Sequence, residues 1–169
     1  MNGLETRLFC RLDGLSAAAR EQQRLFTVAD LGLLETDSIP VFQEAAQTAA
    51  QFLEASICWL GILDRDTLWL KSAQGLSSHL GLMNPLAKKR RMVREDSFDT
   101  HVVDSQQVLA LEDAALHPAF AQSVLVQQFG IRAYLGAPLM ASSGQCLGTL
   151  AVLETEPRAF TRGMCSLWS

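Results

Sequence analysis

An α/β (α+β) domain organised around an antiparallel sheet is what the sequence predicts, and three observations predict it. Two apolar runs, 131–140 and 147–154, are joined by the polar link Ser142-Ser143-Gly144-Gln145, the pattern of a β-hairpin. A second pair, 57–63 and 67–73, flanks the turn Asp64-Arg65-Asp66. Ahead of both hairpins lie two stretches with apolar residues at helical spacing. With 169 residues, 49% of them hydrophobic, one domain has ample core material.

In chain order, residues 1–15 mix charged and apolar side chains between Gly3 and Gly14 and read as an extension. From Ser16 the run is rich in helix formers, with Leu25 and Val28 at helical spacing, so a helix to about Leu31 is expected, ended by Gly32. A second helix follows, capped by Asp37 or Ser38, with Pro40 in its first turn and a core-facing stripe of Phe42, Ala45, Ala49, Phe52 and Leu53. The hairpin 57–73 comes next, with Cys58 on a strand face shared with Leu60 and Ile62, a pattern that predicts an inert buried thiol. Residues 77–93 are the least regular, and their basic run Lys88-Lys89-Arg90-Arg91 reads either as a solvated loop or as a mobile lid for an anionic ligand. A short helix starting at Asp96 or Ser97, a strand at 108–112 and a helix at 119–129 closed by Gly130 complete the middle of the chain.

The last hairpin reads as the centre of the sheet, because Tyr134, Gly136, Leu150 and Val152 leave its second face uncharged as well. Pro138 cannot donate to a ladder, and Gly136 and Gly148 carry no side chain, which predicts a bulge or a close approach of backbone or ligand.

A net charge of −4 gives no electrostatic reason to expect nucleic acid or an anionic membrane as partner. No apolar run is long enough to span a bilayer, and the N-terminus lacks signal-peptide order, so a cytoplasmic location is expected. The four cysteines, Cys10, Cys58, Cys146 and Cys165, are scattered without CxxC spacing, which suggests neither a zinc site nor a disulfide framework. Cys10, beside Arg11 and close to Arg7, is the candidate redox thiol, against the alternative that it packs with Leu8 and Phe9. No nucleophile and base, or carboxylate pair, stands at catalytic spacing.

The run Gly130-Ile-Arg-Ala-Tyr-Leu-Gly-Ala-Pro-Leu, then Leu147-Gly-Thr-Leu-Ala-Val-Leu-Glu, together with Glu112-Asp113 and His117-Pro118-Ala119-Phe120 upstream, resembles a GAF domain over about Leu31 to Phe160. The resemblance implies helices behind the sheet and, in front, a small-molecule pocket of loops and short helices. His101, which it sets on the pocket rim, is a candidate ligand contact together with Asp99 and Tyr134. In bilin-binding GAF photoreceptors a cysteine precedes the histidine of this helix; here that residue is Thr100, so the covalent linkage is unavailable. In GAF-type free methionine sulfoxide reductases cysteines around the pocket reduce the substrate, whereas Cys58 and Cys146 fall in expected strands.

Phe9-Cys10-Arg11-Leu12, Arg24 to Glu35, Val102 to Val108 and Gly130 to Gly136 further resemble the sensory domain of soluble cyanobacterial histidine kinases related to the chloroplast sensor kinase. That resemblance implies redox sensing of photosynthetic electron transport through an iron–sulfur cluster or a quinone-type ligand, with response regulators downstream. Cys10 would be a metal ligand only in a cluster shared between chains. None of His79, His101 and His117 is followed by Glu-x-x-x-Pro, so the kinase domain is expected outside this chain. The organisation expected is an extension at 1–15, a sensor domain at 16–160 and the start of a connector at 161–169. A homodimer seam through Leu25, Val28 and Leu31 of the first helix is the expected assembly.

Overall fold

The computed structural model describes residues 16–36, 39–81 and 83–167, the side chains of 166 and 167 excepted. Six strands make one antiparallel sheet: β1 (Ile57–Leu63), β2 (Thr67–Gln74), β3 (Arg91–Val93), β4 (Leu109–Leu111), β5 (Ala133–Met140) and β6 (Cys146–Glu154), in the order β3-β2-β1-β6-β5-β4. The centre is therefore the pair β1 and β6, one strand from each expected hairpin, and not the hairpin β5–β6 alone. The edge strand β3 was not legible in the sequence. Its three residues alternate exposed, buried, exposed, and it pairs with β2 through Met92 opposite Leu68.

Three helices lie behind the sheet. In α1 (Ala17–Asp30) the Ser16 hydroxyl accepts the Ala19 amide at 3.1 Å, and Gly32 takes a φ of +64° just past the end. Its residue Val28 is buried on Leu60, Ile62 and Leu147, so it belongs to the core and is not available to a seam between chains, while Leu31 stays exposed. α2 (Pro40–Phe52) begins on proline, which suits a first turn whose N–H groups have no partner anyway. Asp37 and Ser38, the expected caps, lie outside the described residues. Ala46 of α2 and Leu53 just after it pack on Cys58, Leu135 and Val152. Phe52, expected in the core, is 66% exposed because the helix turns Ala46, Ala49 and Ala50 toward the sheet instead. Met164 and Cys165 of α7 (Arg162–Leu167) join that same cluster.

The front carries only short helices: α3 (Leu76–Leu80), α4 (Pro85–Lys89), α5 (Asp99–Ser105) and α6 (Val124–Gln127). The expected helix 119–129 shrinks to α6, since turns occupy the residues before it and Gly130, at φ +69°, stops it. The basic run is built into structure: Lys88 and Lys89 form the last turn of α4, where the helix dipole favours cations, and the Arg91 guanidinium lies 5.6 Å from the Trp69 ring centre. Trp59, Tyr134, Phe98, Leu125 and Leu153 fill the space between these helices and the sheet. Each such side chain contributes about 1.5–3 kcal/mol by burial.

Two irregularities set the faces. Leu60 pairs with Ser72 and Gly61 with Leu70, leaving Lys71 as a bulge in β2; Leu139 pairs with Gly148 and Met140 with Cys146, leaving Leu147 as a bulge in β6. The second bulge turns Leu147 to the back although Leu153, an even number of residues away, faces front. The expected close approach at Gly148 is one of backbone to backbone: a Cβ there would sit 1.8 Å from the Gly61 carbonyl oxygen.

Candidate functional site

On the front face β1, β5 and β6 present small residues at Gly61, Gly136 and Ala151, and the hollow they leave holds a buried polar cluster. Asp99, the first residue of α5, points into it and is 0% exposed. Its Oδ2 accepts hydrogen bonds from Trp59 Nε1 at 2.9 Å and from Thr149 Oγ1 at 2.5 Å, and its Oδ1 accepts one from the Tyr134 hydroxyl. Its own amide donates to Ser97 Oγ at 3.0 Å. One carboxyl group thus ties α5 to β1, β5 and β6. The Tyr134 ring lies along its strand over Gly136, where a Cβ would come within 2.3 Å of the phenol oxygen.

Burial raises the Asp99 pKa above the ordinary carboxylate value, outweighing the three donors, which pull the other way. The Tyr134 phenol is pushed well up by burial and by Asp99 beside it, so it stays protonated and donates.

Outside this cluster an aromatic stack leads to solvent. Phe98 meets Tyr134 and Phe120 edge to face, with ring centres 5.3 and 5.1 Å apart, and Phe120 in turn meets His101 and His117, each at 4.8 Å. A front cleft of about 340 Å³ opens here, lined by Ser97, Phe98, His101 and Phe120 and by the acidic pair Glu95 and Asp96. Two of its lining residues, Phe98 and Phe120, belong to the buried front core together with Tyr134 and Trp59.

A second polar assembly closes one end of the sheet. Arg24 of α1 is 5% exposed, and its Nη1 donates to the Leu63 carbonyl at 2.7 Å, with the Cys146 and Leu147 carbonyls at 3.5 Å. Its Nε and Nη2 each donate to Glu21 at 2.9 Å, and Arg94 donates to the same carboxylate at 2.5 Å. Burial alone would raise the Glu21 pKa, but the hydrogen bonds and charges of Arg24 and Arg94 overcome it and bring it down to about 2. A cleft of about 580 Å³ runs beside this network, between α1, α5 and the β5–β6 turn.

Of the residues expected from the sequence, the structure brings Asp99 and Tyr134 into direct contact, both fully buried. His101, two residues further along α5, is exposed at the front cleft. Cys10 lies outside the described residues. Burial pushes the Cys58 thiol up to about 12 and raises that of Cys146, whose Sγ donates to the Gly148 carbonyl at 3.3 Å. Among the described residues no three His, Cys, Asp or Glu side chains are grouped as metal ligands, and no helix is long and apolar enough to cross a membrane. Sequence reasoning missed Trp59, Thr149, Glu21, Arg24 and Arg94. Only the pair Glu21 and Arg24, one helical turn apart, carried a local signal.

Comparison with known proteins adds three findings. A family model described as GAF domain matches residues 37–168. The sequence is 34% identical over 139 residues to a cyclic di-GMP phosphodiesterase of Pseudomonas aeruginosa, a match covering 82% of this chain and 22% of that protein, so the chain spans about a fifth of the curated relative's length. Among solved structures, the GAF domain of a phosphoenolpyruvate-protein phosphotransferase from Coxiella burnetii superposes with a TM-score of 0.59 at 22% identity, over 89% of this chain and 87% of that one. The free methionine-R-sulfoxide reductase of Neisseria meningitidis, solved with its substrate, gives 0.58 at 17% identity, over 88% and 79% of the two chains. Likeness at these identities shows the fold alone.

Proposed function

From the premise that the chain belongs to the GAF domain family, we propose that it is the signal-input module of a larger protein, taking a small ligand at the front cleft. The observation that carries this reading is the placement of α5: its first residue is anchored to three strands through Asp99, while His101 stands exposed at the cleft two residues later. A ligand pressing on His101 and Phe120 would therefore act on a helix bonded directly to the sheet. The described cysteines lie elsewhere, Cys58 on the back face, Cys146 buried and Cys165 in α7, so we propose ligand binding and not thiol reduction at this cleft.

The output we propose is control of cyclic di-GMP turnover, on the strength of the relative at 34% identity, in preference to the histidine kinase output that the sequence resemblance implies. Redox sensing through an iron–sulfur cluster or a quinone is retained as a second reading. Cys58 and Cys146 are buried with raised thiol pKa values, so of the described thiols only the partly exposed Cys165 would serve such a reading, and Cys10, outside the described residues, enters it from the sequence alone. Assembly as a homodimer is also proposed, through the exposed Phe26 and Leu31 of α1 in place of Val28.

The ultraviolet–visible spectrum after anaerobic purification separates the readings. Absorbance from a bound cofactor supports redox or tetrapyrrole input. A colourless protein whose melting temperature rises with biliverdin, a soluble quinone or free methionine sulfoxide, and loses that rise in His101→Trp, supports the cleft. A ligand-induced rise that survives His101→Trp would sink the cleft as its site.

A further inference from the structure

Glu21 and Arg94 connect the front of the molecule to the first helix behind it. Thr100 sits between the anchored Asp99 and the exposed His101, and its Oγ1 donates to the Arg94 carbonyl at 2.5 Å. The Arg94 side chain reaches back over the sheet end: its Nη1 donates to Glu21 at 2.5 Å and to the Asp64 carbonyl at 3.2 Å, while its Nη2 lies 3.6 Å from Asp104 of α5. Glu21 Oε1 is shared, accepting from both Arg94 and Arg24, and Arg24 in turn holds the ends of β1 and β6. The side chain of Arg94 is 14% exposed and that of Glu21 30%, so their attraction is screened less than that of a surface pair.

We propose that Arg94 and Glu21 act as a relay, by which a displacement of α5 at the front cleft changes how firmly α1 is held to the sheet. The proposal rests on the reading of that cleft as the input site. A small shift of α5 moves Arg94 through Thr100. Glu21 Oε1 then loses one of its two cationic partners, and the clasp of α1 on the sheet end rests on Arg24 alone. The device needs no large motion, because two hydrogen bonds of about 2.5 Å carry it.

Hydrogen exchange of the whole chain, read by mass spectrometry over 17–30 and 40–52, tests the relay without any ligand. Thr100→Val removes the hydroxyl while keeping the side chain's shape. The relay predicts exchange in α1 at least about threefold faster in Thr100→Val, with α2 unchanged as internal standard. In the Arg94→Met background the same substitution adds nothing further, whereas in Arg94→Lys part of its effect returns. Equal acceleration of α1 and α2, an unchanged α1, or effects of Thr100→Val and Arg94→Met that multiply would each overturn the proposal. Should Arg94→Met fail to fold, Glu21→Gln serves as the second background with the same expected outcome. Ligand trials at the cleft are independent: their failure would sink the input site and leave the exchange result standing.

Discussion

Two carboxylates, Asp99 and Glu21, are held in opposite ways, and the difference shows what each region is built for. Asp99 meets only neutral donors inside the fold, and burial raises its pKa. Glu21 is gripped by two guanidinium groups at the end of the sheet, which bring its pKa to about 2 despite partial burial. The first is a packing node whose worth lies in satisfying three buried donors. The second is a partly exposed ion-pair junction in which one carboxylate is shared by two guanidinium groups.

The sharpest way to break that comparison is Asp99→Leu, which would leave Trp59 Nε1, Thr149 Oγ1 and the Tyr134 hydroxyl without partners in the core. A loss of about 3–5 kcal/mol in urea unfolding is expected, and a loss below about 1 would show that the cluster does not hold the front helices. Gly148→Ala comes next, because its Cβ would meet main chain that cannot rotate away. About 2–3 kcal/mol is expected from the same measurement.

Glu21→Gln should cost less, about 1–2 kcal/mol, since the junction is partly exposed and Arg24 keeps its carbonyl partners. The pH dependence separates the two acids by sign. Glu21 titrates near 4.5 when unfolded and near 2 when folded, so its stabilisation is complete above 4.5 and is lost as pH falls toward 2. Asp99 titrates near 3.8 when unfolded and higher when folded, so its contribution favours the fold below 3.8 and declines as pH rises through the folded value. Melting temperatures from pH 2.5 to 7 should lose the acid-side fall in Glu21→Gln and the opposing slope in Asp99→Asn. Identical profiles for the two variants would refute the contrast. The smallest effect belongs to His101→Ala, which should change stability by no more than about 0.5 kcal/mol, since the ring is exposed.

Much of the scaffold was legible without coordinates because strand and helix patterns are local. β1 coincides with its apolar run 57–63, β5 lies within the run 131–140, starting at Ala133, and α1 lies between Ser16 and Gly32. β3 escaped notice because three residues beside a basic run carry too little pattern, and α6 came out shorter than its composition suggests because turns claim the residues before it. His101 was singled out from the resemblance, and the structure places it exposed beside the front cleft, edge to face with Phe120.

The sequence by itself determined the antiparallel scaffold, the helical entry and the burial of Cys58, since each follows from residue spacing along a few turns or strands. Only the tertiary structure decided the partners of Asp99 and Glu21. Trp59, Tyr134 and Thr149 lie 40, 35 and 50 residues from Asp99, and Arg94 lies 73 from Glu21. No local propensity reports such separations. They are fixed by the pairing of β1 with β6 and by two bulges that turn the strand faces, and that register decides which side chains share the space beneath α5.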